Sequence, residues 1–213
     1  MSDERHSRGT KDPSGTPLLI AGLGNPGSQY AKNRHNAGFI VVDELHAHYK
    51  FGPWKAKFDG QLSEGALGGR KTYLLKPQTF MNLSGDCVGP ALRFFKLPLE
   101  ALVVVHDEID LAAGKLKAKT GGSDAGQNGL RSITATLGPD YRRVRLGIGH
   151  PGEKHQVSTH VLQNFSKDDI GWLKPLVMAM VEAAPLLAKD DDAGFMSKVA
   201  LLLQPPKPKA KES

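Results

Sequence analysis

His35 and Asp107 are the two residues of this chain best suited to activate a water molecule. His35 follows the apolar run 18–21 across a Gly-rich stretch, and Asp107 comes just after the apolar run 101–105, within the segment His106-Asp107-Glu108. If those two strand ends adjoin, the carboxylate can hold one imidazole nitrogen, which fixes the tautomer and raises the pKa. The other nitrogen is then free to take a proton from water. That is general-base hydrolysis without a covalent intermediate. Spacing alone leaves a plainer alternative open, because many loop histidines are only surface residues. Asn25, Asn82 and Asn128 also fall in loops, and each amide offers donors and an acceptor suited to a carbonyl, a developing oxyanion or a ribose hydroxyl. Loop asparagines also commonly close local turns.

Other chemistries fit less well. There is no G-x-S-x-G elbow, and the single cysteine, Cys87, sits in an apolar helical pattern, as a small buried residue would. No HExxH or paired CxxC offers a zinc site. The carboxylates of the segment 106–110 could attract a divalent cation, but along an extended strand end Asp107 and Glu108 point opposite ways, so no metal is expected. Gly22, Gly24 and Gly27 spell the dinucleotide-binding fingerprint, with Asp43 at the distance of a ribose carboxylate. Two features argue against that reading. The chain continues as polar loop from Asn25-Pro26 to Asn36, where a nucleotide fold must open a helix. Ala37, Ile40, Val41, Glu44, Leu45 and His48 also recur at helical spacing, which puts Asp43 inside a helix.

The formal charge of +6 over 213 residues points to an anionic partner. Part of the excess lies in Lys207, Lys209 and Lys211 of the terminal stretch. Lys115, Lys117 and Lys119 alternate with Leu116 and Ala118, so a strand would carry all three on one face. With Arg131, Arg142, Arg143 and Arg145 they form either a footprint for a phosphate backbone or a solvated sheet face. One cysteine allows no internal disulfide and fits a reducing cytoplasm. The polar N-terminal stretch has no apolar signal core, and no apolar run approaches the roughly 18 residues needed to span a bilayer, so no membrane association is expected.

These residues need elements to hold them. The patterning predicts strands at 18–22, 101–105, 115–119 and 142–147, and a hairpin of 60–67 with 70–75 about Gly68-Gly69. It predicts helices at about 36–49, 84–95 with Ser84 as cap, 128–137, 167–188 from a Ser166/Asp169 capping box, and 193–203. Pro175 is expected to kink the long one. Strands alternating with helices, plus one hairpin, predict an α/β fold: a single three-layer domain with a mixed, largely parallel central sheet flanked by helices. The domain is expected over 17–203, with disordered extensions at 1–16 and 204–213. In such sheets the crevice lies beyond the carboxyl ends of the parallel strands, where loops 24–36, 106–110 and 120–128 would converge.

Five segments, GLGNPGSQYAKNRHNAGF, KPQTFMNLSG, VHDEIDLAAGKLKAKTGG, QNGLRSI and RVRLGIGHPG, occur in an order and at spacings that closely resemble the bacterial-type peptidyl-tRNA hydrolases, over about residues 18–190. The resemblance implies cleavage of the ester joining a peptide to the 3′ adenosine of tRNA, recycling tRNA from peptidyl-tRNA released by stalled ribosomes. It implies His35 as general base, Asp107 as the residue that orients it, and Asn25 as an aid in telling peptidyl-tRNA from free aminoacyl-tRNA. Tyr30, Phe80, Asn82 and Asn128 would bind the tRNA end or the peptide, Met81 would wall the crevice, and Lys119 with Arg145 would grip the tRNA 5′ phosphate. A cytoplasmic monomer without cofactor or metal follows from the same resemblance. The chain departs from the family between Gly122 and Asn128. Two histidines are common there, the second just before the asparagine, whereas this sequence has Ser123-Asp124-Ala125-Gly126-Gln127. Asp124 is expected to place negative charge beside a phosphate-facing loop, and Gln127 cannot titrate. A non-catalytic RNA-binding protein of the same fold is the alternative, and the intact His35 and Asp107 favour the enzyme.

Overall fold

Every residue of the first predicted strand, β1 (Leu18–Gly22), is buried, and so is every residue of the Val-rich strand β5 (Leu102–Glu108). Continuous apolar runs of this kind suit parallel strands covered on both faces. The computed structural model describes residues 15–205 and places these two strands at the centre of one sheet. The expected terminal extensions, 1–16 and 204–213, lie almost wholly outside the described residues.

The hairpin forms as expected, from β3 (Gly60–Leu67) and β4 (Arg70–Pro77). It gains a short antiparallel neighbour, β2 (Lys55–Lys57), whose three exposed residues carry no apolar signal. With β6 (Leu116–Thr120) and β7 (Arg142–Gly147) the sheet has seven strands in the order β2-β3-β4-β1-β5-β7-β6. The four central strands, β4, β1, β5 and β7, run parallel, and the antiparallel pairings lie toward the edges.

Two apolar clusters flank the sheet. On one face, α1 (Ala37–His48), α5 (Lys167–Ala188) and α6 (Asp192–Leu202) cover Leu18, Ile20, Val103, Val105 and Val144. On the other, α2 (Ser84–Phe94) and α3 (Asn128–Leu137) cover Leu19, Ala21, Leu102 and Val104. The fold is the mixed three-layer α/β domain expected.

Several local expectations need correction. β5 does not stop at Val105, because its pairing with β7 continues through His106, Asp107 and Glu108, so Asp107 is a strand residue. Ser84 does not cap α2 with its side chain; its hydroxyl donates to the Met81 carbonyl. The capping box of Ser166 and Asp169 is present, and α5 then runs unbroken through Pro175 and Pro185. By length and composition α5 could also cross a bilayer, contrary to expectation, with half of its most apolar window buried in the protein. Its apolar face packs on the sheet through Leu173, Leu176, Val177, Met180 and Val181. A short helix the sequence did not announce, α4 (Val157–Leu162), lies between β7 and α5.

Candidate active site

The glycines that imitate a nucleotide fingerprint serve to seat α1 on the strand ends. A Cβ at Gly22 would overlap the Gly38 carbonyl oxygen, and one at Gly38 would overlap Leu23 N and Val105 O. This close approach sets the first turn of α1 against β1 and β5, and the 3₁₀ turn Arg34–Asn36 just before it brings His35 to the end of β5. The turn is tied from outside as well. Asn33 bridges Asn164, and Arg34 donates to the Asp169 carboxylate at 2.6 Å and the His160 carbonyl at 3.4 Å. Asn36, buried, closes a double hydrogen bond with the backbone of Asn25 at 3.0 and 2.9 Å. Asp43 lies within α1, where it pairs with Lys76.

The predicted pair forms. His35 Nδ1 lies 2.9 Å from Asp107 Oδ2, with 12% of the His35 side chain exposed and 2% of Asp107. Because a carboxylate accepts, Nδ1 carries the proton and Nε2 presents its lone pair to the crevice that His35 lines. Burial disfavours the imidazolium, but the charge and hydrogen bond of Asp107 outweigh it and hold the His35 pKa above its ordinary value. Burial likewise disfavours the Asp107 carboxylate. The charge and hydrogen bond of His35, with a hydrogen bond from Gln127, overcome that and lower its pKa. His106, fully buried, has its pKa lowered by burial and stays neutral, its Nδ1 2.7 Å from the Asp107 carbonyl.

A crevice of about 1010 Å³ opens in front of the pair, beyond the carboxyl ends of the parallel strands. Asn25, Phe80, Met81, Asn82 and Asn128 all line it. Met81 is buried, whereas Phe80, Asn82 and Asn128 are exposed. Asn25 Oδ1 accepts from the Met81 backbone N–H at 2.8 Å, which fixes the amide orientation and leaves Nδ2 as the donor for a ligand. Tyr30, half-buried at the end of the otherwise exposed turn Ser28–Tyr30, is not among the lining residues. The lining also includes Glu108 and Arg131, together with residues not singled out in the sequence: His150, Lys154, and Val157, Ser158, Val161 and Leu162 of α4. The one signal for α4 was the apolar pair Val157 and Val161 at helical spacing.

The basic stripe is only partly a free surface. Lys117 lies opposite Arg145 and Lys119 opposite Arg143, so these four side chains share one sheet face. Arg143 is nevertheless buried, donating to the carbonyls of Ser123 and Pro139, and Arg142, on the opposite face, is buried against Asp190 and Asp192. Asp124 accepts from Thr134 at 2.9 Å and lies 3.5 Å from Arg143, so the charge expected to face a phosphate is compensated within the protein. Arg145 directs Nε and one terminal nitrogen onto Glu108 Oε2, at 2.9 and 2.8 Å. Among the described residues, the remaining nitrogen and the Lys119 ammonium, which lies against Gly122, have no acidic partner. Asp107 and Glu108 thus serve different partners on opposite faces of β5. Cys87 is buried, and burial with the nearby Asp59 charge pushes its thiol up to about 12, as suits a packing residue.

The family model of peptidyl-tRNA hydrolase matches residues 19–210. Peptidyl-tRNA hydrolase of Mesorhizobium japonicum is 55% identical over 187 residues, covering 88% of this chain and 78% of that protein. The enzyme of the same name from Dinoroseobacter shibae is 54% identical over 189 residues, covering 89% and 80%. The crystal structure of peptidyl-tRNA hydrolase from Acinetobacter baumannii superposes with a TM-score of 0.82 at 39% identity, covering 85% of this chain and 93% of that one. With the family model matching most of the chain, relatives more than half identical to it and a solved structure that superposes over 85% of it, this chain belongs to the peptidyl-tRNA hydrolase family.

Proposed function

We propose that this chain hydrolyses the ester between the peptide and the 3′ adenosine of peptidyl-tRNA, with His35 as general base. The observation that carries the reading is the 2.9 Å contact of His35 Nδ1 with Asp107 at the end of the crevice, which turns Nε2 toward substrate. A water held by Nε2 loses its proton as its oxygen attacks the ester carbonyl. Asp107 supports the imidazolium that forms. The free Nδ2 of Asn25 and the amides of Asn82 and Asn128 offer donors to the carbonyl oxygen or the ribose. Collapse of the tetrahedral intermediate breaks the bond to the 3′ oxygen, which recovers the proton from His35. Lys119 and the free side of Arg145 grip the 5′ phosphate, and Tyr30, Phe80 and Met81 contact the tRNA end or the peptide. The enzyme works in the cytoplasm as a monomer, without metal or membrane.

Turnover of N-acylated aminoacyl-tRNA tests this against an RNA-binding protein of the same fold. The wild-type chain hydrolyses it. His35→Ala loses about a hundred- to ten-thousand-fold in kcat while still binding tRNA. More than a tenth of the wild-type kcat remaining at neutral pH would remove His35 from the role.

A further inference from the structure

Both carboxylate oxygens of Asp107 are occupied. Oδ2 takes the His35 hydrogen bond, and Oδ1 accepts from Gln127 Nε2 at 3.0 Å. The other end of the Gln127 amide is held just as firmly. Its Oε1 accepts from the backbone N–H groups of Gly129 at 2.6 Å and Leu130 at 3.3 Å, so Gln127 caps α3 with its own side chain. Two N–H donors on the oxygen leave only the NH₂ end of the amide to face Asp107, so its orientation cannot flip without losing the cap. Space is arranged for this as well: a Cβ at Gly129 would come within 3.0 Å of Gln127 Oε1 and 2.6 Å of Met81 Sδ.

We infer that Gln127 is a positioning residue of the reaction, donating to Asp107 Oδ1 so that Oδ2 stays aimed at His35, and thereby tying the base to the N-terminus of α3. The inference rests on the reading of His35 as the base. The Gln127 amide is a donor at every pH. Asp107 therefore has one titrating side-chain partner, His35, where a histidine at 127 would give it two. The other titratable or charged groups around the pair are engaged elsewhere or are further lining residues of the crevice. His106 of β5 is buried and neutral, Glu108 is taken by Arg145, and Arg34 by Asp169. His160 of α4 lies against the Ile148 carbonyl, and Arg131, His150 and Lys154 line the same crevice.

Two variants separate this role from helix capping. Gln127→Asn keeps a side-chain carbonyl for the α3 cap but is too short to reach Asp107. It should lower kcat roughly ten-fold at unchanged KM, below the roughly hundred-fold that an ångström-scale misplacement can cost. The His35 titration, followed by NMR of histidine-labelled protein, should move upward, because a carboxylate that loses a donor holds the imidazolium more strongly. Gln127→His introduces a second titrating partner of Asp107, so the His35 titration should become biphasic. A Gln127→Asn enzyme with wild-type kcat and His35 titration, or a Gln127→His enzyme whose His35 still titrates as in wild type, overturns the inference. If Gln127→Asn fails to fold, the Gln127→His titration decides alone. The titration is independent of turnover, so an active His35→Ala enzyme would refute the base while leaving this contact to be judged separately.

Discussion

A histidine that must accept a proton works only while neutral, so the neighbour that orients it also sets the pH at which it fails. Asp107 raises the His35 pKa, so the acidic limb of kcat should lie above the ordinary imidazole value of 6.5. Asp107→Asn removes that charge. Its kcat should fall, and what activity remains should keep to lower pH; a rate and profile identical to wild type would show that Asp107 does not serve His35. The same pair has a stability consequence. The raised His35 pKa stabilises the fold fully below 6.5, and that contribution is lost as pH rises through the folded value. The lowered Asp107 pKa stabilises above 3.8, and is lost as pH falls through its folded value. The pair therefore contributes most between 3.8 and 6.5. Denaturant unfolding should show Asp107→Asn more destabilised in that window than in mild alkali.

At the scale of elements, β6 and β7 carry the proposed phosphate clamp and β5 carries the base support, with Glu108 between them. Lys119→Ala should raise KM for full-length substrate and flatten the dependence of log affinity on log salt by about one counterion, leaving kcat at saturation nearly unchanged. A minimal substrate comprising only the acylated 3′ end should be indifferent. Equal losses on both substrates would show that Lys119 acts on the crevice or the fold. Arg145→Ala is a less clean probe, since it also strips the buried Glu108 of its partner, and breaking such a pair costs about 3–5 kcal/mol. Its thermal unfolding should shift down where that of Lys119→Ala does not.

For the molecule as a whole, the two apolar clusters keep the strand ends in register and so hold the site together. Phe195 of α6 is fully buried in the larger cluster and does not line the crevice. Phe195→Ala should cost about 3–5 kcal/mol in denaturant unfolding while the folded enzyme keeps its kcat. A parallel loss of kcat would mean that this cluster positions the site more directly than its distance in the fold suggests.

Features governed by neighbouring residues were legible in the chain itself. Strand 18–22, the hairpin about Gly68-Gly69, the helices 128–137 and 167–188 and the Ser166/Asp169 box follow from period, turn chemistry and capping, which act over a few residues. The five ordered segments likewise carried the family. Which polar groups meet was decided by packing. Asp107 became a strand residue because β7 offered it a partner, and Gln127 found it across 20 positions of sequence. The basic stripe lost Arg142 and Arg143 to burial against acidic and carbonyl partners, because composition states the sign of a charge and says nothing of what neutralises it. β2 and α4 escaped notice for a related reason: each is too short to show a period and is held by the elements it packs against. The residue types capable of hydrolysis were determined by the sequence. Their meeting at 2.9 Å was decided only by tertiary structure, since a contact spanning 72 residues depends on the sheet order and on two glycines that let a helix settle onto it.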